Sequence, residues 1–283
     1  MLLQASVIPH PSRPFRARQL VGKYRIKKRI GEGAFATVYE AYDTIEGVSV
    51  ALKVPHKQLV DATMMETIQR EVRLTAKLDH PNILPLKNAS MIDGQFVIAT
   101  PLGDEPLSER LHYRMSAKTA LSFSEQLVEA LAYAHEERII HCDIKPDNIL
   151  VFDTDRVKLA DFGIAKVALR TRTVLGSGAG TVGYMAPEQA MGKPSFRSDV
   201  FSLGLVMYRM FSGKLPEWPF DWPGPGVDRL RRNLHRDFVA FLRRATEVRE
   251  SKRFRDGVQM YDAFHRVAPH ALRSGSSGRK TTP

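Results

Sequence analysis

The sequence predicts an α+β chain of two lobes, the first mostly strands and the second mostly helices, with a cleft where they meet. Three observations carry this. Short β-prone runs separated by turn signals fill the chain up to Thr100, longer stretches with helical periodicity follow, and 43% of the 283 residues are hydrophobic, enough for a real core.

Residues 1–22 are rich in Pro and Arg and read as a tail. Tyr24 to Ile30, Ala36 to Tyr42 and Ser49 to Val54 then read as strands, punctuated by the turns GEGA and DTIEG. A helix over Met64 to Leu78 interrupts them, with Ile68, Val72, Thr75 and Ala76 at helical spacing. The strand Phe96 to Thr100 closes the first lobe. Ala117 to Glu136 places Ala120, Leu121, Ser124, Leu127, Val128, Leu131 and Ala134 on one helical face, and Asp199 to Phe211 and Arg236 to Thr246 are further helices. These readings set a domain over 23–270, with a first lobe over 23–99, a hinge at 100–102 and a second lobe over 103–270. Residues 271–283, ending SGSSGRKTTP, read as a disordered tail.

Composition narrows the class. The one cysteine, Cys142, excludes an internal disulfide framework or a thiolate zinc cluster and suits a reducing cytoplasm. No apolar run reaches the about 18–20 residues that span a bilayer. MLLQASVIPHPSRPF has no basic stretch ahead of its apolar residues, so it is a poor signal peptide. The expectation is a soluble cytoplasmic protein without membrane insertion. Formal net charge is +11, much of it from arginines between Arg229 and Arg255. A solvated face of helices explains them, and a docking surface for an acidic partner is the sharper alternative. Without interleaved stacking aromatics the stretch does not read as a nucleic-acid platform.

Several motifs bear chemistry. Gly31-Glu32-Gly33 sits in a turn between strands, where glycines let backbone approach a phosphate closely; a hairpin turn explains the same pair. Lys53 lies on a strand, and Glu71, mid-helix, is a candidate partner that could hold its ammonium against phosphates. Each signal is weak alone. The decisive stretch is His141-Cys142-Asp143-Ile144-Lys145-Pro146-Asp147-Asn148, followed by Asp161-Phe162-Gly163. Together these supply a proton acceptor, a cation and two hard oxygen ligands, the needs of Mg²⁺-dependent phosphoryl transfer.

In order and spacing, GEGAFATV, VALK, HCDIKPDN, DFG, GTVGYMAPE and SDVFSLG resemble the protein kinase family, most of all its bacterial, eukaryote-like Ser/Thr members, over about residues 23–268. The resemblance implies the bilobal protein kinase fold, with a β-rich N-lobe and a helical C-lobe. It also implies transfer of the γ-phosphate of ATP, with Mg²⁺, to Ser or Thr hydroxyls of proteins, the chain itself included. Carried over residue by residue, Asp143 is the catalytic base, Lys145 steadies the γ-phosphate and Thr181 touches both. Asn148 and Asp161 bind the metal. Ile30, Gly31, Gly33, Val38, Ala51, Lys53, Glu71, Thr100, Leu102 and Leu150 bind ATP, with Ala99 as gatekeeper and the backbone of Thr100 and Leu102 on the adenine edge. Glu188 pairs with Arg253, and Asp199 braces the catalytic-loop backbone. Lys145 and the Gly180-Thr181 pair favour Ser/Thr over Tyr as acceptor.

Two departures stand out. Cys142 replaces the arginine of His-Arg-Asp, which reads a phosphate on the activation loop, and the Pro-rich KLPEWPFDWPGPG takes the place of a usual helix. The alternatives are a pseudokinase-like ATP-binding scaffold, disfavoured by the intact Lys53, Glu71, Asp143, Asn148 and Asp161, and a small-molecule kinase, disfavoured by the GT…APE segment.

Overall fold

A computed structural model of the chain describes residues 15–33, 36–56, 62–162 and 182–272. The chain divides into two compact units, one of residues up to Lys77 together with Pro85–Leu102, the other of Leu78–Leu84 together with Gly103 onward.

In the first unit, β1 (Leu20–Val21), β2 (Tyr24–Glu32), β3 (Ala36–Asp43), β4 (Val48–Pro55), β5 (Asn88–Ile92) and β6 (Gln95–Pro101) form one antiparallel sheet in the order β1-β2-β3-β4-β6-β5. The two-residue period of a strand sets what each side chain does. Along β4, Val50, Leu52 and Val54 are buried in a core with Tyr24, Ile26, Tyr39 and Val97, while Ser49, Ala51 and Lys53 stay half-buried on the opposite face. The β3–β4 turn closes on Asp43, whose Oδ1 accepts from the N–H groups of Ile45 and Glu46, both at 3.0 Å, while Oδ2 meets Lys23 Nζ at 2.7 Å. Helix α1 (Ala62–Thr75) packs Ile68 against Phe96 and Ile98. It ends short of the expected Leu78 because that leucine is buried in the core of the other unit.

The stretch expected to be an N-terminal tail contributes to this unit. β1 pairs with β2, Arg18 N–H donates to Ile26 O at 2.8 Å, and the Phe15 ring lies 5.4 Å from that of Tyr39. The Pro and Arg content around them hid two apolar anchors, Phe15 and the fully buried Val21.

The second unit contains α2 (Leu107–Arg110), α3 (Ala117–Glu136), α4 (Pro187–Ala190), α5 (Phe196–Ser212), α6 (Val227–Asn233), α7 (Arg236–Ala245) and α8 (Gly257–Val267). A small sheet, β7 (Glu105–Pro106), β8 (Ile149–Phe152) and β9 (Arg156–Leu159), accompanies them. Helix α3 starts where Ser116 Oγ accepts from Thr119 N–H at 2.9 Å, the geometry of an N-cap. Its buried stripe includes Phe123, Leu127 and Leu131, each worth roughly 1.5–3 kcal/mol on leaving water. The α3–α8 crossing is close: a Cβ at Gly257 would lie 2.7 Å from Leu131 O, so only glycine fits there. The Pro-rich segment after Gly213 is pinned by aromatic edges, with Phe220 on Phe201 at 5.1 Å and Trp222 on Tyr208 at 6.1 Å, before α6 begins. At the far end Ala271 is fully buried and Leu272 bridges Leu234, so these two residues, expected in the C-terminal tail, close the core.

Candidate active site

In the first unit, strand pairing builds a row of side chains. Gly31 stands opposite Val38, Val38 opposite Lys53, and Lys53 opposite Ile98, across β2, β3, β4 and β6. Two residues along, Ala51 stands opposite Thr100. Paired residues share a face of the sheet, so Val38, Ala51, Lys53 and Thr100 line one side together, all half-buried. Gly33 N–H donates to Ala36 O at 2.9 Å and closes the turn at the end of this row, beside Ile30, 44% exposed. Leu102 follows β6 and is half-buried. Glu71 lies on α1, with its side chain outside the described residues.

Ala99 is not on that face. It stands opposite Leu52, is 1% exposed and packs in the core with Val50 and Val97. The gatekeeper expectation was one residue out of phase with the pleat, and Thr100 is the side chain that faces Ala51. The signal was present in the alternation of VALK, whose Ala51 and Lys53 define the open face.

In the second unit a compact loop carries the acid, base and amide groups. Asn148 Nδ2 donates to Asp143 O at 2.8 Å and to Asp143 Oδ2 at 2.9 Å, and Lys145 Nζ lies 2.9 Å from the same Oδ2. Asn148 is held in turn by its place at the end of a 3-10 turn, Pro146–Asn148, and by its carbonyl accepting from Ala160 N–H at 2.8 Å. Leu150 follows on β8, opposite Pro106 and Lys158. His141, fully buried, donates from Nε2 to Ala160 O at 2.8 Å, which fixes Nδ1 as the acceptor for Asp143 N–H at 3.2 Å. Its ring lies 4.5 Å from that of Phe162. Thr181 and Gly163 lie outside the described residues, as does the segment 164–180.

Asp199, at the start of α5 and 1% exposed, organises this loop. Its Oδ2 accepts from His141 N–H at 2.7 Å and its Oδ1 from Cys142 N–H at 2.9 Å. A third donor escaped the sequence reading. His135 Nδ1 accepts from Gly257 N–H at 2.7 Å, so Nε2–H donates to Asp199 Oδ2 at 3.1 Å. A buried carboxylate needs several donors, and a histidine on the apolar face of α3 was the available hint. Gln189 was missed too; its Nε2 donates to Cys142 O at 2.6 Å. Cys142 (φ 65°) and Asp161 (φ 63°) both hold left-handed backbone, a strain that accumulates where geometry serves function.

Farther from the loop, Glu188 and the buried Arg253 form a two-pronged pair at 2.6 and 3.0 Å. Burial alone would push the Glu188 carboxyl up, but the bonds from Arg253 and Ser198 outweigh it and hold the group below its ordinary value. Arg253 thus departs from the solvated-face reading, whereas Arg231, Arg232 and Arg236 are exposed.

The residues assigned to a metal fit a hard divalent cation. Asn148 spends its amide nitrogen on Asp143, leaving an amide oxygen to offer, and Asp161 adds a carboxylate; such all-oxygen sets suit Mg²⁺.

Comparison with known proteins agrees with this architecture. The chain is similar to the serine/threonine-protein kinase PknA of Mycobacterium tuberculosis, 39% identical over 208 residues that cover 70% of this chain and 48% of that protein. It is 34% identical to the serine/threonine-protein kinase PrkC of Bacillus subtilis over 206 residues, 70% of this chain and 32% of that one. The chain thus spans about half or less of the length of these curated relatives. The crystal structure of the Mycobacterium tuberculosis PknI kinase domain superposes with a TM-score of 0.69, covering 90% of this chain and 99% of that one at 24% identity, a likeness of fold. Residues 24–248 match the protein kinase domain family, and the chain belongs to it.

Proposed function

We propose that the chain is a protein serine/threonine kinase that moves the γ-phosphate of ATP to Ser or Thr hydroxyls of proteins, itself included. The observation that carries this is the Asp143 carboxylate, which takes Asn148 and Lys145 on one oxygen, Oδ2. That leaves Oδ1 for the incoming hydroxyl. As the hydroxyl oxygen bonds to the γ-phosphorus and the bond to the leaving ADP oxygen breaks, Asp143 takes the hydroxyl proton and Lys145 offsets charge on the moving phosphoryl group. Asn148 and Asp161 would hold Mg²⁺, whose contribution is to neutralise phosphate charge.

The row on the first unit supports a nucleotide face. Ile30, Gly31 and Gly33 would lie over the phosphates, and Lys53 with Glu71 would hold the α- and β-phosphates. Val38, Ala51 and Leu150 would flank the adenine. Thr100 would stand at its inner edge, and the backbone through Leu102 would bond its rim. Thr181 would complete the acceptor site. We assign the domain to the described residues through Leu272, and we place it in the cytoplasm, which suits a chain with one cysteine.

Cys142 bears on control. In this family an arginine there reads an activation-loop phosphate through a bidentate contact. Cys142 is a neutral side chain, 2% exposed, so activity should not depend on a phosphate on Thr171, Thr173 or Ser177.

The test is transfer to Ser and Thr of a generic basic protein, mapped by mass spectrometry. Lys53→Met and Asp161→Asn should each lower the rate at least ~10²-fold, the scale for losing one preorganised electrostatic group. ATP binding without any transfer by the wild type would instead make the chain a scaffold.

A further inference from the structure

Within the second unit, His235, Asp237 and His270 point ligand atoms at one another, all within 4.8 Å. We propose that these three side chains form a binding site for a zinc-class divalent transition-metal ion, a site that stands independently of the kinase reading.

The distances favour a metal over a plain ion pair. His235 Nδ1 lies 3.4 Å and His270 Nε2 lies 3.5 Å from the same oxygen, Asp237 Oδ2. A good N–H···O bond is about 2.7–3.2 Å, so both contacts are longer than a well-formed hydrogen bond. With metal–ligand bonds of about 2.0–2.1 Å, the edge of a tetrahedron is about 3.3–3.4 Å, close to both distances. The polarity agrees. His235 Nδ1 accepts from Asp237 N–H at 3.4 Å, a long bond that leaves its lone pair lightly engaged. An acceptor ring nitrogen thus lies 3.4 Å from a carboxylate oxygen, two electron-rich atoms that a cation between them stabilises, in place of the weak N-cap bond.

The backbone holds the ligands in register. His235 N–H donates to Ala271 O at 2.7 Å, Leu234 bridges Leu272, and Ala271 is fully buried, so the His270 turn is fixed against the start of α7. The side chains themselves are 41%, 50% and 48% exposed, which leaves an entry path and room for water to complete the coordination. Arg236 approaches the other carboxylate oxygen, Oδ1, at 3.6 Å, and leaves Oδ2 to the imidazoles. Two imidazoles and one carboxylate select zinc-like ions over Mg²⁺ or Ca²⁺, which prefer all-oxygen sets. A bound ion would clip the chain beyond α8 to the first turn of α7.

The test is a titration of tag-free protein with Zn²⁺ by calorimetry, in excess Mg²⁺, with Co²⁺ absorption as a report of geometry. About one equivalent should bind, Co²⁺ should give the intense visible bands of a tetrahedral site, and Zn²⁺ should raise Tm. His270→Gln and the exposed Asp237→Asn should each weaken binding at least about tenfold with metal-free Tm unchanged. His265→Gln, which alters the other His-and-carboxylate cluster, Glu125, Glu129 and His265, should change nothing. No saturable Zn²⁺ binding, binding unchanged in both site variants, or loss in His265→Gln would each overturn the proposal.

Discussion

Replacing Arg253 by methionine should cost more than any exposed arginine in the chain. All five guanidinium hydrogens are spent: Nε on Glu247 O, Nη1 on Glu188 Oε1 and Arg197 O, Nη2 on Glu188 Oε2 and Val248 O. The guanidinium also sits 4.5 Å above the Phe201 ring, and its side chain is 0% exposed. Methionine keeps the aliphatic stem but strips donors from three carbonyls and leaves a carboxylate, 12% exposed, with Ser198 as its remaining side-chain donor. Breaking a buried pair from one side costs about 3–5 kcal/mol. At about 2–4 °C per kcal/mol for a chain of this size, Tm should fall by about 6–20 °C. The control is two residues away: Arg255 is 70% exposed and pairs with Asp256 at the surface, and Arg255→Met should move Tm by no more than about 4 °C. Thermal denaturation followed by circular dichroism reads both, and the double variant Glu188→Gln/Arg253→Met should lose less than the sum of the singles. Equal Tm losses for the two arginines, or strict additivity in the double variant, would show that the buried pair does not set the difference.

Three further outcomes are expected. Thr100→Met should block ATP-site inhibitors that carry a bulky group beside the adenine while sparing ATP, whereas Ala99→Met should leave inhibitor binding alone and cost about 1–3 kcal/mol of stability by overpacking the core; competition binding and denaturant titration separate the two, and the reverse pattern would return the gatekeeper role to Ala99. Asp43, Glu188 and Asp256 are all held below their ordinary values of 3.8, 4.5 and 3.8, hydrogen bonds from Lys23, Arg253 and Gln259 N–H outweighing burial. Depressed carboxyls contribute stability that is complete above those values and lost as pH falls through the folded ones, so Tm should hold from neutral pH to about 5 and drop below about 4.5; a decline that begins above pH 6 would point to histidines instead. Finally, Thr171→Ala/Thr173→Ala/Ser177→Ala and phosphatase-treated protein should keep initial rates within about tenfold of the untreated enzyme, and a larger drop would mean that another cation does the work of the missing arginine.

Much of the fold was legible where pattern and chemistry coincide. Helix α3 matches its periodicity from Ala117 to Glu136, and the four longer strands of the first unit were visible as β-prone runs between turn signals. Strands β1 and β5 were not, because Leu20–Val21 is too short to show a period and the polar Asn88 and Ser90 dilute the β-prone character of Asn88–Ile92. Helix α8 was missed because its first residue is glycine, which argues against a helix locally; the close approach to Leu131 explains it. At the site, the residue types in HCDIKPDN pointed to the chemistry proposed above, but which strand face Ala99 occupied depended on register. The donors that fix the loop, His135 and Gln189, come from distant elements, and only tertiary structure brings them to Asp199 and Cys142.

Asp143 as the proposed base of phosphoryl transfer is tested by the rate of γ-phosphate incorporation into Ser and Thr by wild type and Asp143→Asn at saturating Mg²⁺-ATP, with nucleotide affinity measured on both. Asparagine keeps the size and the contact with Asn148 but cannot accept the hydroxyl proton. Asp143→Asn should lose at least ~10²-fold in rate with nucleotide affinity unchanged. An Asp143→Asn enzyme that transfers phosphate at the wild-type rate, or a wild type that binds ATP and transfers none, would contradict it.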